Sequence, residues 1–345
     1  MSSEIPAYPI EDRPDQHITP ITFVGGTGRS GTHVVSRFLG QHKSMTAIGV
    51  ECRFHVEDRG FPGLLEGTVS RDEFVQRLRG FWWKGEMNGR ERGMFRFVPE
   101  ERFKAAVAKF EDSFDPSAPE AACRELFLDL LWSRAADKET SGLVEQSCDT
   151  IAAAPALLRL FPEAKFVHVV RDGRDASASR VSQTRGLVYP RTRGQGLRWF
   201  EKRIRAIEAG ARQIPEDRLF QVGLEDILTP PRHKAAREVT RFIGLRFGRR
   251  MRRFFYGQMD LESASTERWR SGISKRRQRS IERRYEKLLE RLEADGVSCA
   301  PLLRDVFERR RDPDYVPPPK PGSEAVSGSP TAEATASRPS GVEIS

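Results

Sequence analysis

The chain has 345 residues, 38% of them hydrophobic and 31% charged, with 58 Lys and Arg against 49 Asp and Glu and a net charge of +9. That is enough apolar material for a sizeable core in one large domain or two small ones. No apolar run approaches the roughly 18–20 residues of a membrane span, the densest being residues 166–170. The N-terminus lacks the charged-then-apolar pattern of a secretory leader. The four cysteines, at 52, 123, 148 and 299, are too few and scattered for a disulfide framework or a Cys-x-x-Cys site. Reduced thiols in a cytoplasmic protein are expected, and no metal, because no His/Cys pair sits at ligand spacing. The positive balance favours anionic partners. No recognisable nucleic-acid-binding module accompanies it, so none is expected as a partner.

Residues 1–17 read as a flexible polar lead. Residues 316–345 hold six of the 22 prolines and no aromatic residue, a composition that cannot offset its ordering entropy, so disorder is expected. The folded part is then 18–315. Within it, residues 18–24 read as a strand, 31–41 as a helix and 46–50 as a second strand. Helical patterns follow at 71–81, 100–110 and 119–137, then a strand at 142–145, a helix at 152–160 and a strongly apolar strand at 164–170. Helices are expected at 173–185 and 195–212, a strand at 218–222, and helices at 232–243 and 275–292. The alternation predicts an α/β fold, a parallel sheet flanked by helices on both faces. Ligands of such sheets bind beyond the carboxyl ends of the strands.

The first strand runs into Gly25-Gly26-Thr27-Gly28-Arg29-Ser30-Gly31-Thr32, and a helix begins at once. Glycines let backbone N–H groups approach an anion, and the helix N-terminus adds free donors and partial positive charge. A phosphate-binding loop follows. Its kind stays open on these residues. Gly26-x-Gly28-x-x-Gly31, with Glu51 20 residues beyond as a ribose-binding acid, fits the dinucleotide fingerprint of an NAD(P)-dependent oxidoreductase. The nucleotide-triphosphate pattern fits less well, since Arg29 and Gly31 stand where it needs Gly-Lys.

A second motif closes the strand at 164–170: Arg171-Asp172-Gly173-Arg174, with Ser179 eight residues after Arg171. Arg171 at a strand's carboxyl end points toward the same crevice, and its planar fork suits phosphate. Neither rival class needs a second anion site. A ligand with two separated phosphates does.

Together the two motifs resemble the sulfotransferases that use 3′-phosphoadenosine-5′-phosphosulfate (PAPS). The resemblance implies a P-loop-type sheet, with Gly28, Arg29, Ser30, Gly31, Thr32 and His33 at the 5′-phosphosulfate and Arg171 and Ser179 at the 3′-phosphate. It extends to Leu160-Phe161-Pro162, to Leu224-Glu225-Asp226-Ile227 with Pro230, and to Phe242-Ile243-Gly244-Leu245. The pattern is nearest to tyrosylprotein sulfotransferases and related bacterial enzymes, whose Glu-x-Arg is matched by Glu51-Cys52-Arg53. By that likeness Glu51 is the base, Arg53 orients the acceptor and Arg29 assists the transfer. Gln146 stands where those enzymes place a Lys, and His33 where the loop usually has a second Thr.

A late basic stretch, 263–284, is comparable to a family loop that closes over the nucleotide, through Ser265, Arg268, Trp269 and Arg270, with Trp269 near adenine. His55 is a reserve base, His168 a core histidine, Trp199 a core residue, and Phe81-Trp82-Trp83 either acceptor lining or ordinary packing. The expectation is sulfuryl transfer from PAPS to a hydroxyl or amine, without metal, leaving 3′,5′-ADP. The acceptor class stays open among carbohydrate, small phenol or alcohol, and peptide tyrosine. A non-catalytic nucleotide- or polyanion-binding protein of the same fold remains the rival outside enzymology.

Overall fold

A computed structural model describes residues 20–87, 90–185, 187–229, 231–259 and 264–311. The expected N-terminal lead and C-terminal tail, and Pro230, lie outside them.

Strand β1 (Ile21–Gly25) is the axis of the sheet. It pairs in parallel with β5 (Gly142–Glu145) on one side and β6 (Lys165–Val170) on the other. β2 (Met45–Ala47) adds beyond β5, and β7 (Leu219–Gly223) beyond β6, so the order is β2-β5-β1-β6-β7. A short antiparallel ribbon, β3 (Gly85–Met87) with β4 (Arg90–Arg92), stands apart. The strands are apolar on both faces because helices cover both. Alternation along β1 sends Ile21 and Phe23 into one core and Val24 into the other. Phe23 meets the rings of Phe127, Phe161 and Phe166. Val24 joins Val35 and Phe38 of the helix Thr32–Leu39, with Val167 and Val169. A third cluster, around Phe200, Tyr285 and Leu289, packs the helices Gly173–Gln183, Arg193–Ala211, Lys275–Ala294 and Ala300–Arg309 together.

The predicted strands all occur, with one shortened: the run at 46–50 leaves the sheet after Ala47, which puts Glu51 in the following loop. Two predicted helices are broken by π turns. The one at 71–81 is α-helical only over Arg71–Arg77 before Leu78–Trp82, and the one at 119–137 is interrupted at Leu128–Trp132. A π turn takes an extra residue, so the apolar pattern continues through it with a shifted phase. Helices at Arg249–Gln258 and Ala300–Arg309 are additional to those expected.

His168 sits in β6, fully buried, with Nδ1 3.5 Å from the Gln221 amide nitrogen. Burial pulls its imidazole down to about 4, with Glu208 as a small opposing influence. In the unfolded chain the ring titrates near its ordinary value, so between the two values the unfolded state binds the extra proton and stability falls as pH falls. Comparing His168→Gln with the parent in urea melts at pH 7 and pH 5, the parent should lose about 1–2 kcal/mol more than the variant. Equal losses would show that the ring titrates alike folded and unfolded.

Candidate active site

The loop after β1 turns through two left-handed glycines, Gly28 at φ 79° and Gly31 at φ 90°, with Arg29 between them at φ 64°. A Cβ on Gly26 would lie 2.6 Å from the Val169 carbonyl and one on Gly31 would meet Leu224, so the loop is pressed against β6 and the residue after β7. The helix Thr32–Leu39 starts directly from it. Gly26 N–H donates to the Cys148 carbonyl at 3.0 Å, which ties the end of β5 to the same turn.

The second motif reaches this loop. Arg171 donates through Nη1 to the Arg29 carbonyl at 2.8 Å, and Arg29 donates through Nε to Ser179 Oγ at 3.0 Å. Arg171 Nη2 donates to the carbonyls of Ala264 at 2.6 Å and Ser265 at 3.3 Å, and Arg268 Nη2 donates to Ser265 Oγ at 2.8 Å. Three guanidinia, of Arg29, Arg171 and Arg268, thus converge at the carboxyl end of the sheet. Burial, then Arg171 and Arg268, draw the Arg29 guanidinium below its ordinary value, with Cys148 and Glu51 opposing. Such crowding of like charge is relieved by an anion. Arg171 Nε is buried without a partner.

A cleft of about 770 Å³ opens here. Arg29, Thr32, Arg171, Ser179 and Arg268 line it together with Glu51, Arg53, Gln146 and Cys148. Glu51 is exposed, and Cys148 Sγ donates to its Oε1 at 2.9 Å. Burial, with Glu51 next, pushes the Cys148 thiol above its ordinary value, so it stays protonated as a donor. Gln146 is buried with its side chain at the cleft wall. His33 also lines the cleft, its imidazole lowered by burial and by Arg37.

Residues 20–249 match the model of the sulfotransferase family. The chain belongs to that family. Among solved structures, this sulfotransferase is similar to the sulfotransferase domain of the Synechococcus PCC 7002 olefin synthase, at 18% identity and TM-score 0.44, covering 82% of this chain and 98% of that one. It is also similar to a Mycobacterium tuberculosis sulfotransferase, at 16% identity and TM-score 0.42, covering 79% of this chain and 77% of that one. A sulfotransferase from Alicyclobacillus acidocaldarius matches at 15% identity and TM-score 0.42, with 84% and 98% covered. No curated protein matches the chain.

The residues singled out in the sequence of this sulfotransferase do not all meet. Arg29, Gly31, Thr32, His33, Glu51, Arg53, Arg171, Ser179 and Arg268 share the cleft. Gly28 shapes the turn behind it, its Cα side facing Cys148 and Trp199, and the Ser30 hydroxyl is buried beneath Gly26. Trp269 and Arg270 stand elsewhere. Trp269 is fully buried in the third core cluster between the guanidinia of Arg174 and Arg270, so it cannot stack on a ligand in the cleft. Arg270 turns to Glu282 at 3.4 Å. Their neighbours on the same short helix differ because Asp175 accepts from the backbone N–H groups of Glu267 at 2.9 Å and Trp269 at 3.2 Å, which points Trp269 inward. His55 also faces inward, 2.9 Å from Glu145 and among Phe23, Phe54 and Phe127, away from the cleft. Arg53 reaches the cleft but pairs with Glu57 at 2.9 Å. Phe81 and Trp82 line the cleft, whereas Trp83 stacks on Phe103 at 4.0 Å.

The sheet order also bears on the dinucleotide reading. That fold sets the strand bearing its ribose acid next to β1. Here β5 lies between β1 and β2, and Glu51 follows β2.

Sequence reasoning missed Cys148 as the partner of Glu51, and Arg92 and Arg96 of the ribbon region on the far wall. Cys148 lies two residues after Gln146, so its place was readable once β5 was set beside β1. Nothing in residues 85–96 signals a cleft wall.

The cleft rests on a buried ion cluster. Arg174 pairs with Asp172 at 2.6 Å, and Arg310 reaches Asp172 at 2.8 Å, Asp175 at 2.9 Å and Glu225 at 3.6 Å. Burial raises Asp172, but Arg174 and Arg310 outweigh it and hold the carboxyl well below the usual range. Arg310→Met leaves those buried carboxylates short of charge and should cost about 3–5 kcal/mol in urea unfolding at neutral pH. A loss below about 1 kcal/mol would mean that the cluster is dispensable.

Proposed function

We propose that this sulfotransferase moves the sulfuryl group of PAPS to the hydroxyl or amine of an acceptor, with Glu51 as general base. One observation carries the reading: the hydrogen bond of Arg29 to Ser179, with Arg171 on the Arg29 carbonyl, joins two anion-binding motifs far apart in sequence into one cleft beside Glu51. The residues suit a nucleotide with phosphates at both ends. The glycine loop has no room for a Cβ at Gly26, its helix offers free N–H donors, and Arg171 keeps a buried unpartnered Nε.

Sulfuryl transfer resembles phosphoryl transfer, an in-line displacement with charge spread over equatorial oxygens. PAPS would supply the activated sulfuryl group. The chain supplies position and field. Arg29 and the loop N–H groups meet negative charge that grows on the bridging oxygen. Arg171, Ser179 and Arg268 hold the 3′-phosphate at the other end of the nucleotide. Glu51 accepts the acceptor's proton while Cys148 hydrogen-bonds its Oε1. Gln146, at the position of the family's Lys, offers amide donors without charge. Arg53 orients the acceptor only as far as its pairing with Glu57 allows.

Glu51→Gln keeps the shape of the side chain and removes its proton affinity. It should bind 3′,5′-ADP as the parent does and lose about 10²-fold or more in labelled-PAPS turnover. Undiminished turnover removes Glu51 from the mechanism. Arg171→Ala should weaken 3′,5′-ADP about 10-fold or more beyond its effect on 5′-AMP, the scale of one charged hydrogen bond. Calorimetry that finds the two nucleotides weakened equally would refute the 3′-phosphate assignment.

A further inference from the structure

The basic stretch near the C-terminus contributes little to the cleft beyond Ser265 and Arg268. Most of its charge lies on the helix Lys275–Ala294, and it lies at the wrong end. The first ten residues hold six cations, Lys275, Arg276, Arg277, Arg279, Arg283 and Arg284, against one acid, Glu282; the last ten hold three acids against two cations. A helix favours acids at its N-terminus and cations at its C-terminus. The acids are not merely displaced, because Glu282 is engaged by Arg270 and Arg174. Further along, Arg291 is paired with Glu201 at 2.8 Å, so ion pairing is the habit of this surface wherever acids are supplied.

The unpaired charge surrounds a hollow. Arg277 and Arg284 from this helix face Arg191 and Arg193 at the start of the helix Arg193–Ala211, around a cavity of about 520 Å³. No acid lines it, and among the described residues none of the four has an ion pair. Arg193 donates to the Ser271 carbonyl, and burial draws its guanidinium below the ordinary value. The Arg193–Ala211 helix adds its own positive end here. The floor is of the opposite character: Ala178, Val181, Ile273 and Ile281. Shortly before Arg191 in the chain, Leu187, Val188 and Tyr189 stand 73%, 59% and 53% exposed, and Tyr189 Oη donates to the Gln195 carbonyl at 3.3 Å, which holds this apolar tip against the same helix end.

We infer that this hollow is a second binding site, for an anionic amphiphile: a phosphate, sulfate or carboxylate head among the four arginines and an apolar chain over the floor and the tip. A bare polyanion would answer the charge and leave the apolar floor and tip in water. A neutral apolar molecule would cover the floor and desolvate four guanidinia without compensation. Only a ligand with both parts satisfies both surfaces. The site shares no lining residue with the cleft that holds Ser179 and is independent of the reaction proposed there.

The test uses the full chain and dodecyl phosphate below its micelle-forming concentration, followed by isothermal titration. It should bind about tenfold or more tightly than inorganic phosphate or the neutral dodecyl maltoside. Arg277→Gln with Arg284→Gln should weaken it about tenfold or more, with circular dichroism and melting temperature unchanged. Arg191→Gln, on a different segment, should weaken it as well. Leu187→Ser with Val188→Ser should weaken dodecyl phosphate and leave inorganic phosphate as it was. Full affinity in the arginine variants overturns the site. So does inorganic phosphate, or the maltoside, binding as tightly as dodecyl phosphate. Sedimentation with phosphatidylglycerol vesicles but not phosphatidylcholine vesicles, lost in the arginine variants, places the amphiphile in a bilayer. Dodecyl phosphate binding without sedimentation places it in solution.

Discussion

The carboxylates of Asp172 and Asp175, buried with Arg174 and Arg310, hold together the parts of this molecule that form the cleft. Arg171, one residue before Asp172, can reach the glycine loop only if β6 ends where it does and the next helix begins at Gly173. Asp172 accepts from the Arg174 N–H at 2.8 Å as the N-cap of that helix, while its own N–H donates to Glu225 beyond β7. Asp175 fixes the backbone of Glu267 and Trp269, and so the segment that carries Ser265 and Arg268 to the cleft. Arg310 brings in the last helix of the described chain. Charges this deep are costly alone and tolerable only when paired. The cluster is therefore a register device: β6, β7, the 264–270 segment and the C-terminal helix must arrive together.

That dependence explains what was legible in the sequence and what was not. The strands showed themselves through short apolar runs, and the two anion motifs through glycine spacing and through Arg171 at a strand end. Their meeting was readable from Arg171 at the carboxyl end of a strand and from family likeness, although Arg29 and Ser179 are 150 residues apart. The helix Arg249–Gln258 escaped notice because arginines at 249, 250, 252 and 253 mask its apolar stripe of Met251, Phe254 and Phe255. The π turns at Leu78–Trp82 and Leu128–Trp132 have no compositional marker, since their residues keep helical propensity. Trp269 was misjudged for a different reason. An aromatic flanked by two arginines looks like a stacking platform, yet the direction of its side chain is set by Asp175, more than 90 residues away.

Charge in this protein is sorted rather than spread. Where acids are present the arginines take them, as Arg304 does Glu293 and Arg311 does Glu286. Where arginines outnumber acids, at the end of the sheet and beside the Arg193–Ala211 helix, the excess that makes the chain basic is concentrated. Solvation of isolated arginines is cheap. Their convergence in concave places is not, because low-dielectric walls strengthen the mutual repulsion. Both hollows are thus prepared for negative charge by the same means, although one has a glycine-rich loop and the other an apolar floor.

The Glu51 end of the cleft obeys the contrary rule. Arg53, the cation nearest in sequence, is drawn to Glu57, which also takes Arg77 at 3.1 Å and the Trp82 indole N–H at 3.0 Å. Gln146 and Cys148 present neutral donors. Glu51 is instead hydrogen-bonded by the Cys148 thiol, which burial keeps protonated near neutral pH. Arg29, Arg171 and Arg268 are held together at the glycine loop, while the side chain that hydrogen-bonds Glu51 is the neutral thiol of Cys148. One cavity therefore combines a cluster of guanidinia with a carboxylate held by a neutral donor, and Arg29 lies near enough to Glu51 for the two charges to act on each other.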